Sequence, residues 1–360
     1  MQTRLLNFLT VTLLTCSGLL ANTPKNIIEH IANLPEETPP GNIAIAPDGR
    51  IFLSVHGFYN QPVKVVELLK DGSTKPYPTE AWAHAPAGST SGLHGVLGIN
   101  VDAEGILWLL DTSSPEHAGR LIGWDTQAEQ LHRILYLAKP VIADHSFLND
   151  LAIDLKHKAI YIADTGTEAI IVVNLVTGQA RRVLGGSAFT RTEAIDMVID
   201  GKLVEMNGAP ARLGINPITI DPQNDYLYWG AMSGTAIYRI KTADLNDSAL
   251  TNAELAGRVE RYGEKPISDG ITIDDAGNVY VTSITDDSIG IVQPDGVYKT
   301  LYQADELSWP DGFAVGPGNY IYVTINELHR SPGLNKGENH SKGEFKVMRF
   351  KALSNAQPGR

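Results

Sequence analysis

The feature that most constrains the fold is a short unit that recurs along the chain. Its clearest copy runs from Asn149 to Thr165. A polar pair, Asn149-Asp150, stands before the apolar run Leu151-Ala152-Ile153. A polar turn, Asp154 to Lys158, follows, and then a second run, Ile160-Tyr161-Ile162. Two short alternating runs around a turn read as two antiparallel strands. Asn42 precedes Ile43–Ala46, Gly98 precedes Ile99–Val101, and Asn216-Pro217 precedes Ile218–Ile220. Asp269-Gly270 precedes Ile271–Ile273, and Asp311-Gly312 precedes Phe313–Val315. Six copies at a period of roughly fifty residues are the signature of a six-bladed β-propeller, an all-β fold. Closed all-β folds run long as one domain, so residues 22–360 are expected to form one unit.

Further strands fill out the blades. The first continues with Ile51–Val55, Lys64–Leu69 and a short strand near Lys75–Tyr77. An insertion at 187–213 lengthens the third step, and Thr192–Val198 within it reads as a strand or a helical turn. In the fourth blade three strands are followed by a helix-like polar stretch, Ala243–Ala256. The sixth has only three legible strands, the last being Phe345–Phe350, and Ile27–Ile31 is expected to complete it. A ring is most secure when one blade joins both chain ends.

Residues 1–21 read as a secretory signal peptide. Arg4 supplies the positive end, Leu5–Leu20 the apolar stretch, and Leu19-Leu20-Ala21 a cleavage site. The expected location is secreted or periplasmic, with no membrane span in the mature chain. Cys16, the one cysteine, falls inside this segment, and Thr15 stands where a lipoprotein signal wants a small residue. A mature chain without cysteine has no disulfide and no thiolate chemistry. The net charge of −12 argues against nucleic acid and anionic membrane, which need a basic face.

No zinc-protease, serine-hydrolase or nucleotide-binding motif is present. The chemistry-bearing signal is positional. In a propeller the first strand of each blade lines the channel, so residues just before those strands converge at one mouth. Asn42, Asn149-Asp150, Asn216, Asp269 and Asp311 hold those places. Such a ring of oxygens could bind a polar small molecule, with Asn149, Asn216, Asp269 and Asp311 as the ligand-binding set. No cofactor motif is present; calcium or another divalent cation is what such a ring could take. Against this, Asp-Gly and Asn-Asp also build turns. The second-strand ends, His56, Asp111, Asp164, Ser283 and Asn326, would ring the opposite mouth or bond between blades, with structural use favoured. Trp108, Tyr161, Tyr228, Tyr280 and Tyr322 share one place in successive second strands and read as inter-blade packing.

Several segments resemble the yellow / major royal jelly protein family, including its bacterial members. They include Gly105–Thr112, Phe147–Asp154, Tyr161–Gly166, Gly214–Pro217 and Tyr238–Leu245. The resemblance implies a secreted six-bladed propeller with a ligand near the channel mouth. Some insect members bind biogenic amines and others are linked to dopachrome conversion, so weak isomerase activity is a further implication. The chain lacks the insect cysteines and carries Ser54-Val55-His56-Gly57 where those members have a Pro-Arg pair. More distantly it is similar to the gluconolactonase / senescence-marker superfamily. That likeness implies a metal-dependent lactonase, with Asn149 and Asp269 as metal ligands and Asp269 or Asp311 activating water. The third ligand would be Asn42 or an early glutamate, Glu36 or Glu37.

Overall fold

The computed structural model describes residues 27–359 apart from 86–88, 90 and 113–117. Residues 1–21, read above as a signal peptide, and Cys16 among them lie outside the described residues. Six four-stranded antiparallel sheets form the blades. Their innermost strands are Pro40–Ile45, Val96–Val101, Leu148–Asp154, Ile215–Ile220, Ile271–Ile273 and Pro310–Gly316. Each touches the next, and the last returns to the first, so the ring is closed. Closure removes the open edges that a sheet of this many strands would otherwise expose.

The chain ends meet as the sequence suggests. In blade six, Lys346–Lys351 pairs on one side with Tyr320–Ile325 and on the other with Glu29–Asn33. The N-terminal strand sits about two residues later than Ile27–Ile31. In blade four the polar stretch forms two one-turn helices, Thr242–Asn246 and Asn252–Ala256, the second closed by a Thr251/Glu254 capping box. The outer strand of that blade, Glu260–Glu264, was not expected from sequence. Its Glu-Arg-Tyr-Gly-Glu run is largely solvated, and pairing along one side is enough to hold it. The insertion differs from expectation: Thr192–Met197 takes no regular form. Two minimal hairpins follow it, Val198–Ile199 with Lys202–Leu203 and Glu205–Met206 with Ala209–Pro210.

The second-strand aromatics pack between blades. Trp108 joins Leu151 and Ile153 of the next blade, Tyr161 joins Ile218 and Ile220, and Tyr228 joins Ile271 and Ile273. In three of the five, an aspartate before the second strand fixes the polar atom. Trp108 Nε1 donates to Asp102 at 2.9 Å, and the hydroxyls of Tyr161 and Tyr280 donate to Asp154 and Asp274 at 2.7 and 2.9 Å. A buried aromatic with a satisfied polar tip fills volume without leaving an orphan donor.

Candidate functional site

In five of the six blades the residue pair at the start of the inner strand sits in a β-bulge. Register slips between Pro40 and Ile43, Val96 and Ile99, Leu148 and Leu151, Ile215 and Ile218, and Pro310 and Phe313. Two residues occupy each slip, and a bulge re-aims side chains at the end of a strand. Successive side chains of a strand point opposite ways, so the two positions serve different spaces. The first position of the pair carries Leu97, Asn149, Asp269 and Asp311, which line a cavity above the ring. The second carries Asn42, Asp150 and Gly270, which line the narrow channel below.

This separates residues that the sequence groups together. Asn42 is one residue out of step with Asn149, Asp269 and Asp311. It turns into the channel, and its Nδ2 donates to Asp150 Oδ1 at 2.8 Å. Asn216 is in step but lies behind the cavity wall, where its Nδ2 donates to Asp269 Oδ1. Glycine at the second position lets neighbouring blades approach closely. A Cβ at Gly270 would run into the carbonyl of Asp311, and one at Gly312 into the side chain of Asn42.

The second-strand ends lie at the same mouth as the first-strand starts, not at the opposite one. Antiparallel pairing requires it: Pro40 faces Val55 and Pro310 faces Ile325. Most of these ends are structural. Asp111 accepts from the Gly95 amide and pairs with Arg120, and Asp164 accepts from Ser146, Phe147 and Arg182. Two belong to the site. Asn326 Nδ2 donates to Asp311 Oδ2 at 2.7 Å, and His56 lines the cavity.

The cavity has a volume of about 220 Å³. Asn149, Asp269 and Asp311 form its polar base. Phe58, Phe147 and Trp309 supply aromatic walls, and Met197, Met206 and Leu213 reach in from the insertion and its exit. Three of the chain's five methionines, Met197, Met206 and Met232, line this one space. Methionine adapts its shape to varied apolar partners. That enrichment around the insertion was a readable signal that the sequence reading did not use.

Trp309 ties wall to base. Its Nε1 donates to Asp269 Oδ2 at 2.7 Å, and its ring stacks on His329 with centroids 6.1 Å apart. Its φ of 55° lies in the left-handed region, which a bulky side chain enters at a cost of about 1–2 kcal/mol. Strain of this kind persists where surrounding contacts impose it, and it gathers at ligand sites.

The carboxylates are buried and lack cationic partners. Neither Asp269 nor Asp311 forms a salt bridge among the described residues. Burial pushes Asp269 up to about 6, although the Trp309 and Asn216 hydrogen bonds and the charge of Lys265 pull against it. Burial, then the charges of Asp269 and Asp150, raises Asp311 well above the usual carboxylate range. Asp150 in the channel is raised by burial to about 7. Lys265, whose charge acts on Asp269, is itself buried and brought down to about 7 by that burial, its Nζ donating to three backbone carbonyls. The site is therefore short of positive charge.

Asn149 and Asp269 both reach the cavity, but no three His, Cys, Asp or Glu side chains among the described residues converge to hold a metal ion. Glu36 and Glu37 are exposed on the lead-in loop, and Asn42 is committed to Asp150. Ca²⁺ takes six to eight oxygens, several of them carboxylate. The residues present do not match that demand, and no chemical step is assigned to a metal.

Solved structures share the architecture. The chain is similar to a luciferin-regenerating enzyme with a TM-score of 0.59 at 12% identity, over 93% of this chain and 99% of that one. The gluconolactonase XC5397 from Xanthomonas campestris has a TM-score of 0.55 at 13% identity, over 90% and 89%. A streptogramin B lyase has 0.53 at 13%, over 90% and 97%. At such identities the likeness is one of fold. No curated protein sequence matches the chain. The family model described as Major royal jelly protein matches residues 94–352, well over half of the sequence. With the propeller and its repeats already in place, that match shows that the chain belongs to the major royal jelly protein family.

Proposed function

We propose that this protein is an exported binding propeller whose cavity takes a small organic cation with an apolar or aromatic body. The carrying observation is the pair Asp269 and Asp311, buried at the base of an apolar cavity with no salt-bridge partner among the described residues. A cationic head seated there would relieve their desolvation and mutual repulsion, and the ring of Phe58, Phe147 and Trp309 suits an aromatic body. Asn149, whose amide makes no hydrogen bond among the described residues, is free to orient the head. A carboxyl titrating near pH 6 beside one that holds its proton more tightly is also suited to proton transfer. Weak isomerisation of a bound ligand is the catalytic extension of this reading. A lactonase reading has only fold likeness behind it.

The test is calorimetric titration with benzylamine and with toluene, its neutral isostere. Wild type should bind the amine and not the hydrocarbon, without need of Ca²⁺. Binding should weaken as pH falls through about 6, where Asp269 takes up its proton. Asp311→Asn should cost at least tenfold in amine affinity. Equal affinity for both probes, or an amine affinity that Asp311→Asn leaves unchanged, would refute the proposal.

A further inference from the structure

His56 is the polar group of this cavity that the carboxylate base leaves unexplained. It directly follows the second strand of blade one, is only 4% exposed, and lines the cavity. Its ring is held in place twice. Phe58 packs edge-on at a centroid distance of 4.8 Å, and the Phe58 backbone N–H donates to Nδ1 at 3.2 Å. An Nδ1 that accepts a hydrogen bond carries a lone pair, so the proton of the neutral ring resides on Nε2. Burial keeps the ring neutral by pulling it down to about 3. The one side-chain hydrogen bond of His56 among the described residues is at Nδ1, so the Nε2–H is left to the cavity that the ring borders. A donor at a cavity wall takes its acceptor from whatever fills the cavity, and a ligand that displaces water there must supply one or leave the N–H unpaired. Thr165 offers no equivalent, because its hydroxyl already donates to the Ile215 carbonyl.

We propose that His56 is a specificity-determining donor that reads an acceptor oxygen of carbonyl type on the ligand. The ligand is then bifunctional, cationic where it meets Asp269 and Asp311 and acceptor-bearing where it meets His56. This deepens the binding reading of the same cavity and rests on it. It also explains why the ring is neutral: an imidazolium would repel the cationic end, whereas an N–H donor recognises oxygen without adding charge.

Three probes separate the two ends when titrated into the full chain: benzylamine (cation only), acetophenone (acceptor only) and 4-acetylbenzylamine (both). The wild type should bind 4-acetylbenzylamine at least tenfold more tightly than benzylamine. The ratio of the two affinities should fall to about one in His56→Phe and recover much of its wild-type value in His56→Gln, which offers an amide N–H, whatever either change does to benzylamine binding itself. In wild-type protein with ¹⁵N-labelled histidine, the His56 ring should show the Nε2–H tautomer, and its Nε2 resonance should move on adding acetophenone. That readout needs no variant to fold. A gain that persists in His56→Phe, a wild type that binds the two amines equally, or an Nδ1–H tautomer would overturn the proposal. Should benzylamine fail while acetophenone binds in a His56-dependent way, the cation reading falls and the donor stands. Failure of all three probes overturns both.

Discussion

Replacing Asp150 with asparagine tests the electrostatics of the ring without touching the cavity. Asp150 lines the channel half-buried, and burial raises it from an ordinary 3.8 to about 7. At about 1.4 kcal/mol per tenfold change in proton affinity, that rise corresponds to at most about 4 kcal/mol held against the ionised native state, less whatever solvent in the channel screens. The sign follows from proton binding. The native state holds this proton more tightly than the unfolded chain, so stability falls as pH rises from about 4 to about 7 and stays lowered above that. Asparagine keeps the hydrogen bonds, because its Oδ1 still accepts from Asn42 Nδ2 and the Leu151 amide, each 2.8 Å away in the native site. It carries no charge to desolvate. Asp150→Asn should therefore be more stable than wild type at pH 8, by up to about 4 kcal/mol, or on the order of 10 °C in melting temperature for a chain of this size. The two proteins should converge near pH 4. Urea unfolding at pH 4, 6 and 8 measures the difference directly. A variant no more stable at pH 8, or one whose stability keeps the wild-type slope between pH 4 and 7, would refute the reasoning. Turn-building by Asp150 would then be its whole role.

Two further outcomes follow from the chain ends. Deleting residues 343–360 removes Lys346–Lys351, leaving Tyr320–Ile325 with a bare edge and Glu29–Asn33 without its partner; insoluble protein or a large fall in melting temperature is expected, and unchanged melting would contradict ring closure by this strand. Residues 1–21 should be missing from exported protein, which mass spectrometry settles; an intact Met1 or a lipid on Cys16 would contradict the signal-peptide reading.

The repeat was legible because it depends on local chemistry alone. An alternation such as Ile271-Thr272-Ile273, a turn at Asp274–Asn278 and a second run at Val279–Thr282 signal two strands wherever they occur. Six such signals leave few folds open. The strand Glu260–Glu264 escaped because an outer, solvated strand needs no apolar face, and its position is set by the partner Ala236–Lys241. The ring of polar residues was legible as a recurrence but not as a geometry. The one-residue offset between Asn42 and Asn149 can be counted back from Ile43 and Leu151, but nothing in either local sequence says which space each position of a bulge faces.

What the sequence by itself determined is thus the propeller, its blade count and the gathering of acidic and amide side chains at one mouth. These follow from short-range periodicity and from closure, which any six such units must satisfy. The tertiary structure alone decided how that mouth is divided. Asp269 and Asp311 face an apolar cavity while Asp150 and Asn42 face the channel, because successive residues at the strand start are aimed into different spaces. It also decided the company they keep. Phe58, Phe147, Met206 and Trp309 are distant in the chain and meet only when blades one, three and six and the insertion close over the ring. His56 joins them because antiparallel pairing returns the end of each second strand to the start of the first.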